Sequence, residues 1–504
     1  MNVARFLDHW AIAEDPFRAE EARQDPVFLR LSDPVGHPDL EKILGDVGRP
    51  STSIVFGEKG SGKTALRLQL ERRLRRHNEA HPEAPVLLVP YDDLNPVLDR
   101  FHDRNNADDH LASLRKLRLI DHMDGILSGA VTRTVDALLG DLGAEPILGD
   151  PGRRKRAARR LPNPAKDDLL ALQAIYDAGE PSLERAARLR RMLRPRLDGA
   201  RLAWRAGVVA SWLLPAAAFA LWWWSGRPAL QGPWIWGLIA SLAVPVALTV
   251  KTAALDNWRL ELLARRIIHH ARTLPRTRDR LADHLALLPV RVRRSGRLPV
   301  SDGDDVRFDA FVRLRRVLSA FGVAGAIVVV DRVDEPTLVS GDPERMKAVI
   351  WPILNNKFLQ MDGFGIKLLL PIELRHALFR ESNQFFQEAR LDKQNLVERL
   401  AWTGAALYDL CNARLAACMR PNADPVALRD LFEPDVSRQD LIDALDQMRR
   451  PREAFKLLYR CIHEHCSGVT EEDPRWKVPR LILDMVRKRE AERVEQLNRG
   501  VRPA

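Results

Sequence analysis

Four short apolar runs occur along the chain, two before residue 100 and two after residue 320. They cover residues 54–56, 86–90, 326–330 and 366–370. A short run rich in β-branched residues, without polar alternation, is typical of a strand buried on both faces of a parallel sheet. A helix predicted over 64–77, between the first two runs, completes a βαβ unit. The pattern therefore predicts an α/β fold with a parallel sheet.

Between residues 105 and 302 the short apolar runs give way to long arginine-rich segments. Helices are predicted at 111–142 and 181–193, and a further helix at 308–321 leads into the third strand. The stretch 151–160 has six basic residues in ten and is expected to be a loop. This part of the chain is predicted to be a helical insertion that interrupts the α/β core.

Two uncharged runs, 206–226 and 234–250, lie near the centre of the insertion. At ~1.5 Å per residue the first is about 30 Å long as a helix, which matches the hydrocarbon thickness of a bilayer. The second is near the lower limit for a spanning helix. A short turn-rich connection predicts an antiparallel transmembrane hairpin. The alternative is a buried helical hairpin in a large soluble domain, with Pro215 and Pro245 as kinks.

The residues that flank these two runs indicate an orientation. Arginines are concentrated outside the hairpin, and five tryptophans lie near its turn, at a position that suits the outer headgroup level. The positive-inside rule then places both flanks in the cytoplasm. We expect two transmembrane helices in the inner (cytoplasmic) membrane, with the rest of the chain on the cytoplasmic side.

These patterns suggest six segments. We predict an N-terminal helical extension at 1–50, the first part of the core at 51–104 and the helical insertion at 105–302. The second part of the core is predicted at 303–390, a mostly helical lid at 391–466 and a C-terminal tail at 467–504. In the extension, a helix is predicted at 40–44, and Trp10 and Phe17 are expected to pack on the core.

Composition narrows the partners only in part. The 504 residues have a formal net charge of +11, which favours anionic partners, either membrane lipid or nucleic acid. Contact of 151–160 with the membrane surface, or plain solvation, is favoured over nucleic acid because this stretch shares the cytoplasmic side with the hairpin. The four cysteines, all after residue 410, fit a reducing compartment. Cys461, His463, His465 and Cys466 resemble a metal site by spacing, but on a helix they radiate to different faces.

The segment between the first strand and its helix has the chemistry of a phosphate-binding loop. It consists of Gly57, Glu58, Lys59, Gly60, Ser61, Gly62, Lys63 and Thr64. In such a loop, backbone N–H groups and the helix N-terminus surround the β-phosphate, and the lysine neutralises β/γ charge. The hydroxyl of Thr64 would bind Mg²⁺. The alternative is a chance match in an ordinary loop.

A second motif follows the third strand, with the sequence Asp331, Arg332, Val333, Asp334 and Glu335. We expect this strand to lie beside the first one, so that Asp331 reaches the Mg²⁺ shell. Glu335, or else Asp334, is the candidate base that polarises the attacking water. The sequence leaves these two acids unranked, and an acidic surface turn is the alternative.

Two arginines are candidates for contact with the nucleotide. Arg375 follows the fourth strand and is a candidate sensor of the γ-phosphate, with a surface arginine as the equal alternative. Arg452 opens a helix after Pro451 and is a candidate to reach back to the nucleotide. The N-terminal extension is expected to lie over the adenine as a lid.

With these motifs in place, the chain resembles the KAP family of P-loop NTPases, within or near the STAND group. KAP proteins resemble it in having a transmembrane hairpin between Walker A and Walker B, here 206–250 between Thr64 and Asp331. Residues 331–335 are similar to the STAND hhhhDGhDE pattern, with Arg332 where that pattern has glycine. Pro451 and Arg452 look like the proline-bearing lid motif of that group. The resemblance implies ATP or GTP hydrolysis with Mg²⁺ at the inner face of a membrane, often in bacterial signalling or phage defence.

Three hypotheses about function follow. The first is a membrane-anchored NTPase switch that acts through a homo-oligomer or a partner protein. The second is a scaffold that binds nucleotide structurally and recruits DNA or a protein to the membrane. The third is an oligomeric motor on DNA or protein. The complete set Lys63, Thr64, Asp331 and Glu335 favours the first.

Overall fold

A computed structural model of the chain describes residues 1–18, 22–31, 36–105, 109–141, 147–195, 199–224, 233–379 and 394–498. The predicted turn of the hairpin, at 225–232, lies outside the described residues. So do the junction of the predicted second core part and lid, at 380–393, and the end of the predicted tail, at 499–504.

The described strands are β1 Ser53–Gly57, β2 Val86–Tyr91, β3 Gly325–Val330, β4 Phe364–Pro371 and β5 Asn395–Val397. The helices up to residue 180 are α1 Val3–His9, α2 Pro26–Arg30, α3 Leu40–Leu44, α4 Lys63–Ala80, α5 Asn95–Asn105, α6 His110–Leu114, α7 Leu119–Leu139, α8 Pro151–Arg160 and α9 Asn163–Tyr176. Those from residue 180 to residue 320 are α10 Ser182–Leu193, α11 Gly199–Ser211, α12 Leu213–Trp224, α13 Pro233–Val250, α14 Asp256–His270, α15 Arg278–Leu287, α16 Val290–Arg293 and α17 Asp304–Ala320. The remaining helices are α18 Pro343–Ile350, α19 Asn356–Leu359, α20 Ile372–Phe379, α21 Gly404–Ala417, α22 Arg438–Met448, α23 Pro451–Ser467 and α24 Arg480–Asn498.

The strands form one five-stranded sheet in the order β2-β3-β4-β1-β5. β1 runs parallel to both β4 and β5. All residues of β1, β3 and β4 are buried, as expected for strands covered on both faces. The predicted α/β class and its four strands are confirmed, whereas the short β5 was not predicted.

The expected neighbour of β1 is wrong in one respect. β4, not β3, pairs with β1, so one strand separates the strand that ends at Asp331 from the strand that ends at Gly57. Strands in a sheet lie about 4.8 Å apart, so the ends of β1 and β3 are separated by roughly 10 Å. The sequence gives no direct signal of strand order, because all four predicted strands are short and predominantly apolar.

Two helix predictions are corrected. The stretch 151–160 is the helix α8, not a loop, because Asp150 accepts a hydrogen bond from the Arg153 amide (3.3 Å) and Pro151 lies in the first turn. The segment 111–142 is not one helix but two, α6 and α7. A new N-terminus forms at α7, where the Asp121 carboxylate accepts a bond from the Arg118 amide (2.8 Å).

The chain forms two compact units. Unit 1 contains residues 1–80, 90–93 and 327–504, and unit 2 contains 81–89 and 94–326. In unit 1, the core under the C-terminal helices includes Phe6 and Phe17 from the N-terminal segment, both fully buried. The indole N–H of Trp10 donates to the carbonyl of Trp476 (2.8 Å). The N-terminal segment therefore packs mainly on α21–α24.

Unit 2 is largely helical and contains charged groups that are fully paired inside its core. Arg307 and Asp124, both 0% exposed, form an ion pair (3.3 Å), and Asp124 also accepts from the Tyr176 hydroxyl (3.1 Å). Burial raises the pKa of Asp124 to about 6, even though Arg307 lowers it. These residues join α7, α9 and α17, so the three helices are cross-linked by polar contacts as well as apolar ones.

The apolar segments of unit 2 expose much of their surface. α12 has no buried residue, and Trp224 at its end is 87% exposed. Within the described residues, the stretch Ala206–Trp224 is long and apolar enough to cross a membrane, and Ile235–Val250 is a shorter apolar helix. The first stretch is interrupted at Trp212, between α11 and α12. Pro215 accounts for the break, because it has no N–H to donate to the carbonyl four residues earlier.

We expect Gly404→Ala to lower the free energy of unfolding by about 1–3 kcal/mol. An added Cβ at Gly404 would collide with the carbonyl oxygen of Ile442 and lie 2.8 Å from the Cβ of Asp446, so α21 and α22 would have to separate. Chemical denaturation measures the change. Gly468→Ala is the control, since its nearest neighbour would be 3.6 Å away. Equal stability of the two variants would contradict this packing.

Candidate functional site

The loop from Gly57 to Thr64, called here the glycine loop, connects β1 to α4. Gly60 and Gly62 have φ values of +84° and +94°, a region that glycine adopts without strain. The 18-residue helix α4 begins at Lys63, so the positive end of its dipole faces the loop. Backbone N–H groups at such a helix start are a natural site for an anion.

Close contacts explain the glycines at two positions of the loop. A Cβ on Gly57 would lie 2.6 Å from the hydroxyl oxygen of Ser61. A Cβ on Gly60 would lie 3.1 Å from the Cβ of Arg452. The loop is thus wound tightly on itself and lies directly against the start of α23.

The ammonium group of Lys63 is bound by the loop itself. Its Nζ donates to the carbonyl oxygens of Gly57 (2.7 Å) and Glu58 (3.2 Å). Burial lowers the pKa of Lys63, and the neighbouring charges, first Asp334 and then Asp331, oppose that shift. A cation held only by carbonyl dipoles in a buried site is suited to exchange these partners for a phosphate.

Residues after β5 hold the glycine loop in place. The indole N–H of Trp402 donates to the carbonyl of Ser61 (2.9 Å). Glu58 forms ion pairs with Arg399 (2.6 Å) and with Arg450. These contacts restrain the loop through residues that are distant from it in sequence.

Asp331 has an unpaired oxygen at a buried position. It is 1% exposed, and its Oδ1 accepts a bond from the Arg332 amide (2.9 Å). Its Oδ2 has no hydrogen-bond partner among the described residues, and burial raises its pKa. Because a buried acceptor without a partner is costly, this oxygen fits a hard cation such as Mg²⁺. Thr64 lines the same cavity and could supply a second oxygen.

The turn after Asp331 presents both acidic candidates. Arg332 adopts φ = +59°, and the Glu335 amide donates to its carbonyl (3.2 Å). The Arg332 guanidinium forms an ion pair with the Glu335 carboxylate (3.2 Å). Asp334 is the acid with the strongest charge effect on Lys63. The two acids thus differ: Glu335 is paired with Arg332, whereas the charge of Asp334 acts on Lys63.

The two predicted arginines differ in their surroundings. Arg452 lines the cavity, and its side chain makes no hydrogen bond or ion pair with any described residue. Arg375 forms an ion pair with Glu398 (2.6 Å) and is not among the residues that line the cavity. Arg452 is therefore available to a ligand of the cavity, whereas Arg375 would first have to leave Glu398.

A cavity of about 280 Å³ brings most of the predicted site residues together. Its lining includes Glu58, Lys59, Gly60, Gly62, Lys63, Thr64, Asp331, Asp334, Glu335 and Arg452. Gly57 and Ser61 belong to the same loop but do not line the cavity. Within the described residues, no group of three His, Cys, Asp or Glu side chains that could hold a metal by themselves occurs.

Several cavity residues were missed by the sequence argument. They are Ala22, Asp25, Phe28, His37, Ala65, Leu66, Gln69, Leu400, Trp402, Leu410, Arg414 and Phe455. Ala22, Asp25, Phe28 and His37 belong to the N-terminal extension, which was expected to form a lid. His37 donates through Nε2 to the carbonyl of Ala401 (2.9 Å) and packs edge-on against Trp402, and burial lowers its pKa.

Arg414 is the least expected of these residues. It is 2% exposed, pairs with Asp25 (2.5 Å) and packs over the ring of Phe455 (4.5 Å to the centroid). Its Nη2 has no partner among the described residues. An arginine within the otherwise apolar stretch 413–417 at the end of α21 is the only signal that the sequence offers. A buried donor without a partner is suited to an acceptor atom of a ligand.

Comparisons with known proteins returned no match to a family model, to the curated proteins or to the solved structures.

We expect Arg332→Gly to be more stable than Arg332→Ala by about 1 kcal/mol, the reverse of the usual order. At φ = +59° an alanine retains the strain of the left-handed conformation, whereas glycine does not. Both variants lose the ion pair to Glu335, so the difference between their free energies of unfolding reports the backbone strain alone. Chemical denaturation gives the comparison. A more stable alanine variant would show that the turn relaxes to negative φ.

Proposed function

We propose that this protein is a membrane-anchored P-loop NTPase that hydrolyses ATP, or GTP, and uses nucleotide occupancy as a switch. One observation carries the proposal. Lys63, Thr64, Asp331, Asp334 and Glu335 line a single cavity at the start of α4. Phosphate binding, cation binding and general-base chemistry thus have suitable groups within one site.

The triphosphate would bind at the glycine loop. Backbone N–H groups and the α4 dipole favour its negative charge. Lys63 would leave the carbonyls of Gly57 and Glu58 and pair with β/γ-phosphate oxygens. Arg452, without a partner and next to Gly60, would contact the same end of the ligand.

Asp331 and Thr64 are the residues that would hold Mg²⁺. The unpaired Oδ2 of Asp331 supports this assignment. When bound, Mg²⁺ neutralises charge on the β- and γ-phosphate oxygens.

Hydrolysis needs a group that orients water and accepts its proton. Glu335 or Asp334 would take that proton as the water oxygen bonds to the γ-phosphorus and the bond to the leaving β-phosphate oxygen breaks. For Glu335 to act, its ion pair with Arg332 would have to open or turn. The two acids remain alternatives in this proposal.

Contacts within unit 1 support a switch. Arg452 opens α23 beside Gly60, and Phe455 lies one turn further along the same helix. The ring of Phe455 packs under Arg414, which binds Asp25 of the N-terminal segment and the carbonyl of Pro16 (2.7 Å). A ligand that draws Arg452 inward would move α23, and with it this segment.

Membrane anchorage is the second part of the proposal. A soluble protein rarely exposes a large apolar patch. Yet α12 buries none of its residues, and most of the described residues of α13 are exposed. Anchorage by both helices in the inner membrane, with the nucleotide site in the cytoplasm, would account for that surface. The resemblance to KAP proteins supports this order of segments and suggests bacterial signalling or phage defence, with a homo-oligomer or a protein partner.

Glu335→Gln and Asp334→Asn are expected to identify the base. The variant that removes the base should lower the rate of phosphate release about 10²–10⁴-fold and leave nucleotide binding nearly unchanged. Lys63→Ala should instead weaken binding of the triphosphate. Phosphate release and binding of a fluorescent ATP analogue are measured on the full chain, with Glu344→Gln, at an exposed acid that does not line the cavity, as the control. Full turnover in the doubly substituted protein would refute this catalytic assignment.

Cell fractionation tests the anchorage. The full chain should sediment with membranes and resist extraction by high salt and carbonate, because its apolar helices insert into lipid. A variant with residues 206–250 replaced by a short Gly-Ser linker should be released to the soluble fraction. Recovery of the full chain as a soluble protein would contradict anchorage and leave the nucleotide proposal untouched.

A further inference from the structure

We propose that unit 2 has a binding site for the headgroup of an anionic phospholipid, in a basic cleft between α8 and α10. The cleft has a volume of about 420 Å³. Its cations are Arg154, Lys155, Arg159, Arg188 and Arg191. None of its described lining residues is acidic. The proposal rests on the membrane anchorage proposed above, but not on nucleotide hydrolysis.

Two of the five basic side chains that line the cleft are held in place by contacts with other residues of unit 2. Arg154 donates to the carbonyl of Ala137 (2.8 Å), and Arg188 pairs with Asp141 (2.9 Å). The left-handed Gly140 at the end of α7 makes room for Arg154, because a Cβ there would lie 2.5 Å from its Nη1. The Nε of Arg154 is buried and has no hydrogen-bond partner among the described residues. Two cations of the cleft are therefore held in defined positions, and one of them has a buried N–H donor that is suited to a phosphate oxygen.

The other three cations are available to a ligand. Lys155, Arg159 and Arg191 make no ion pair within the described ranges. The remaining lining is mostly apolar and includes Leu138, Leu139 and Met192. Several cations beside an apolar wall match a phosphate that continues into a glycerol and acyl chain.

The position of the cleft in the chain favours a lipid over a nucleic acid. Arg191 precedes Ala206, the first residue of the apolar stretch, by only fifteen positions. Basic residues that lie close to a membrane segment are attracted to anionic lipid. Proteins that bind single-stranded nucleic acid stack the bases on aromatic rings, and no described residue that lines this cleft is aromatic.

α8 offers a matched control on its other side. Arg153, Arg156 and Arg160 line a second cavity, together with Phe321, and have the same number of charges as the three available cations of the cleft. Replacing either trio by glutamine removes three charges from the same region. If the lipid binds in the cleft, only the first variant should lose affinity. If the attraction is diffuse, both variants should lose affinity equally.

The test uses the full chain in a neutral detergent, so that insertion of the apolar helices contributes equally to every sample. Dioctanoyl phosphatidylglycerol and dioctanoyl phosphatidylcholine are titrated, and the rise in the thermal unfolding midpoint gives an apparent Kd. The wild type should prefer phosphatidylglycerol at least tenfold. Lys155→Gln, Arg159→Gln and Arg191→Gln together should weaken its binding roughly 100-fold, at about fivefold for each cation.

The control trio Arg153→Gln, Arg156→Gln and Arg160→Gln should stay within about threefold of the wild type, because these side chains line the second cavity and not the cleft, and salt weakens their longer-range attraction. Lys155→Gln alone, at an exposed position, should weaken binding about fivefold and covers the case in which the cleft trio fails to fold. Equal losses in both trios, or no preference between the two lipids, would overturn the proposal. Displacement of phosphatidylglycerol by a single-stranded oligonucleotide that binds more tightly would assign the cleft to nucleic acid instead.

Discussion

Burial of charge at the carboxyl edge of the sheet is the constraint on which the candidate site depends. The strands are almost entirely apolar and buried, yet Asp331 directly follows β3, and Lys63 lies at the start of α4, at the end of the glycine loop that follows β1. Moving a charge away from water is costly unless hydrogen bonds or opposite charges replace the water. Lys63 receives two loop carbonyls, and Asp331 receives one amide for one of its oxygens. Covering the remaining polar atoms with apolar side chains would be costly, and these atoms lie at an open cavity instead.

The second requirement, on the proposed function, is that the glycine loop hold its shape if Lys63 exchanges its carbonyl partners for phosphate. A loop with two residues at positive φ has few local restraints, so its conformation must come from neighbours. Trp402 binds the Ser61 carbonyl, and Arg399 and Arg450 pair with Glu58. These residues are more than 300 positions from the loop and lie beside the helices that pack on the N-terminal segment. The same part of the chain therefore supports the loop and encloses the cavity, so a ligand at the loop affects both.

The parts that sequence predicted correctly are those governed by local physics. Apolar β-branched runs produced the strands, and the spacing of Gly57, Gly60 and Gly62 indicated the turn before α4. Strand order and side-chain partners depend on contacts distant in sequence, which explains the wrong neighbour of β1 and the missed Arg414. The charge of 151–160 favours a solvated loop, whereas the cap at Asp150 and the helix-forming Ala157 and Ala158 favour the helix that the structure has. The acidic pair Asp334 and Glu335 could be located but not ranked.

Unit 2 shows why a perturbed pKa alone does not identify a functional site. Asp124 and Asp331 both have pKa values raised by burial. Both oxygens of Asp124 are bonded, to Arg307 and Tyr176, whereas Asp331 retains an unbonded buried oxygen. The first arrangement is complete, and its charges serve to cross-link three helices. In the second, an acceptor oxygen beside an open cavity has no donor or cation as a partner. Arg414, at the same cavity, has a donor nitrogen without an acceptor. One cavity thus has both an unpaired acceptor and an unpaired donor. A ligand that brings a cation as well as acceptor atoms would satisfy both, and a nucleoside triphosphate with its metal ion is such a ligand.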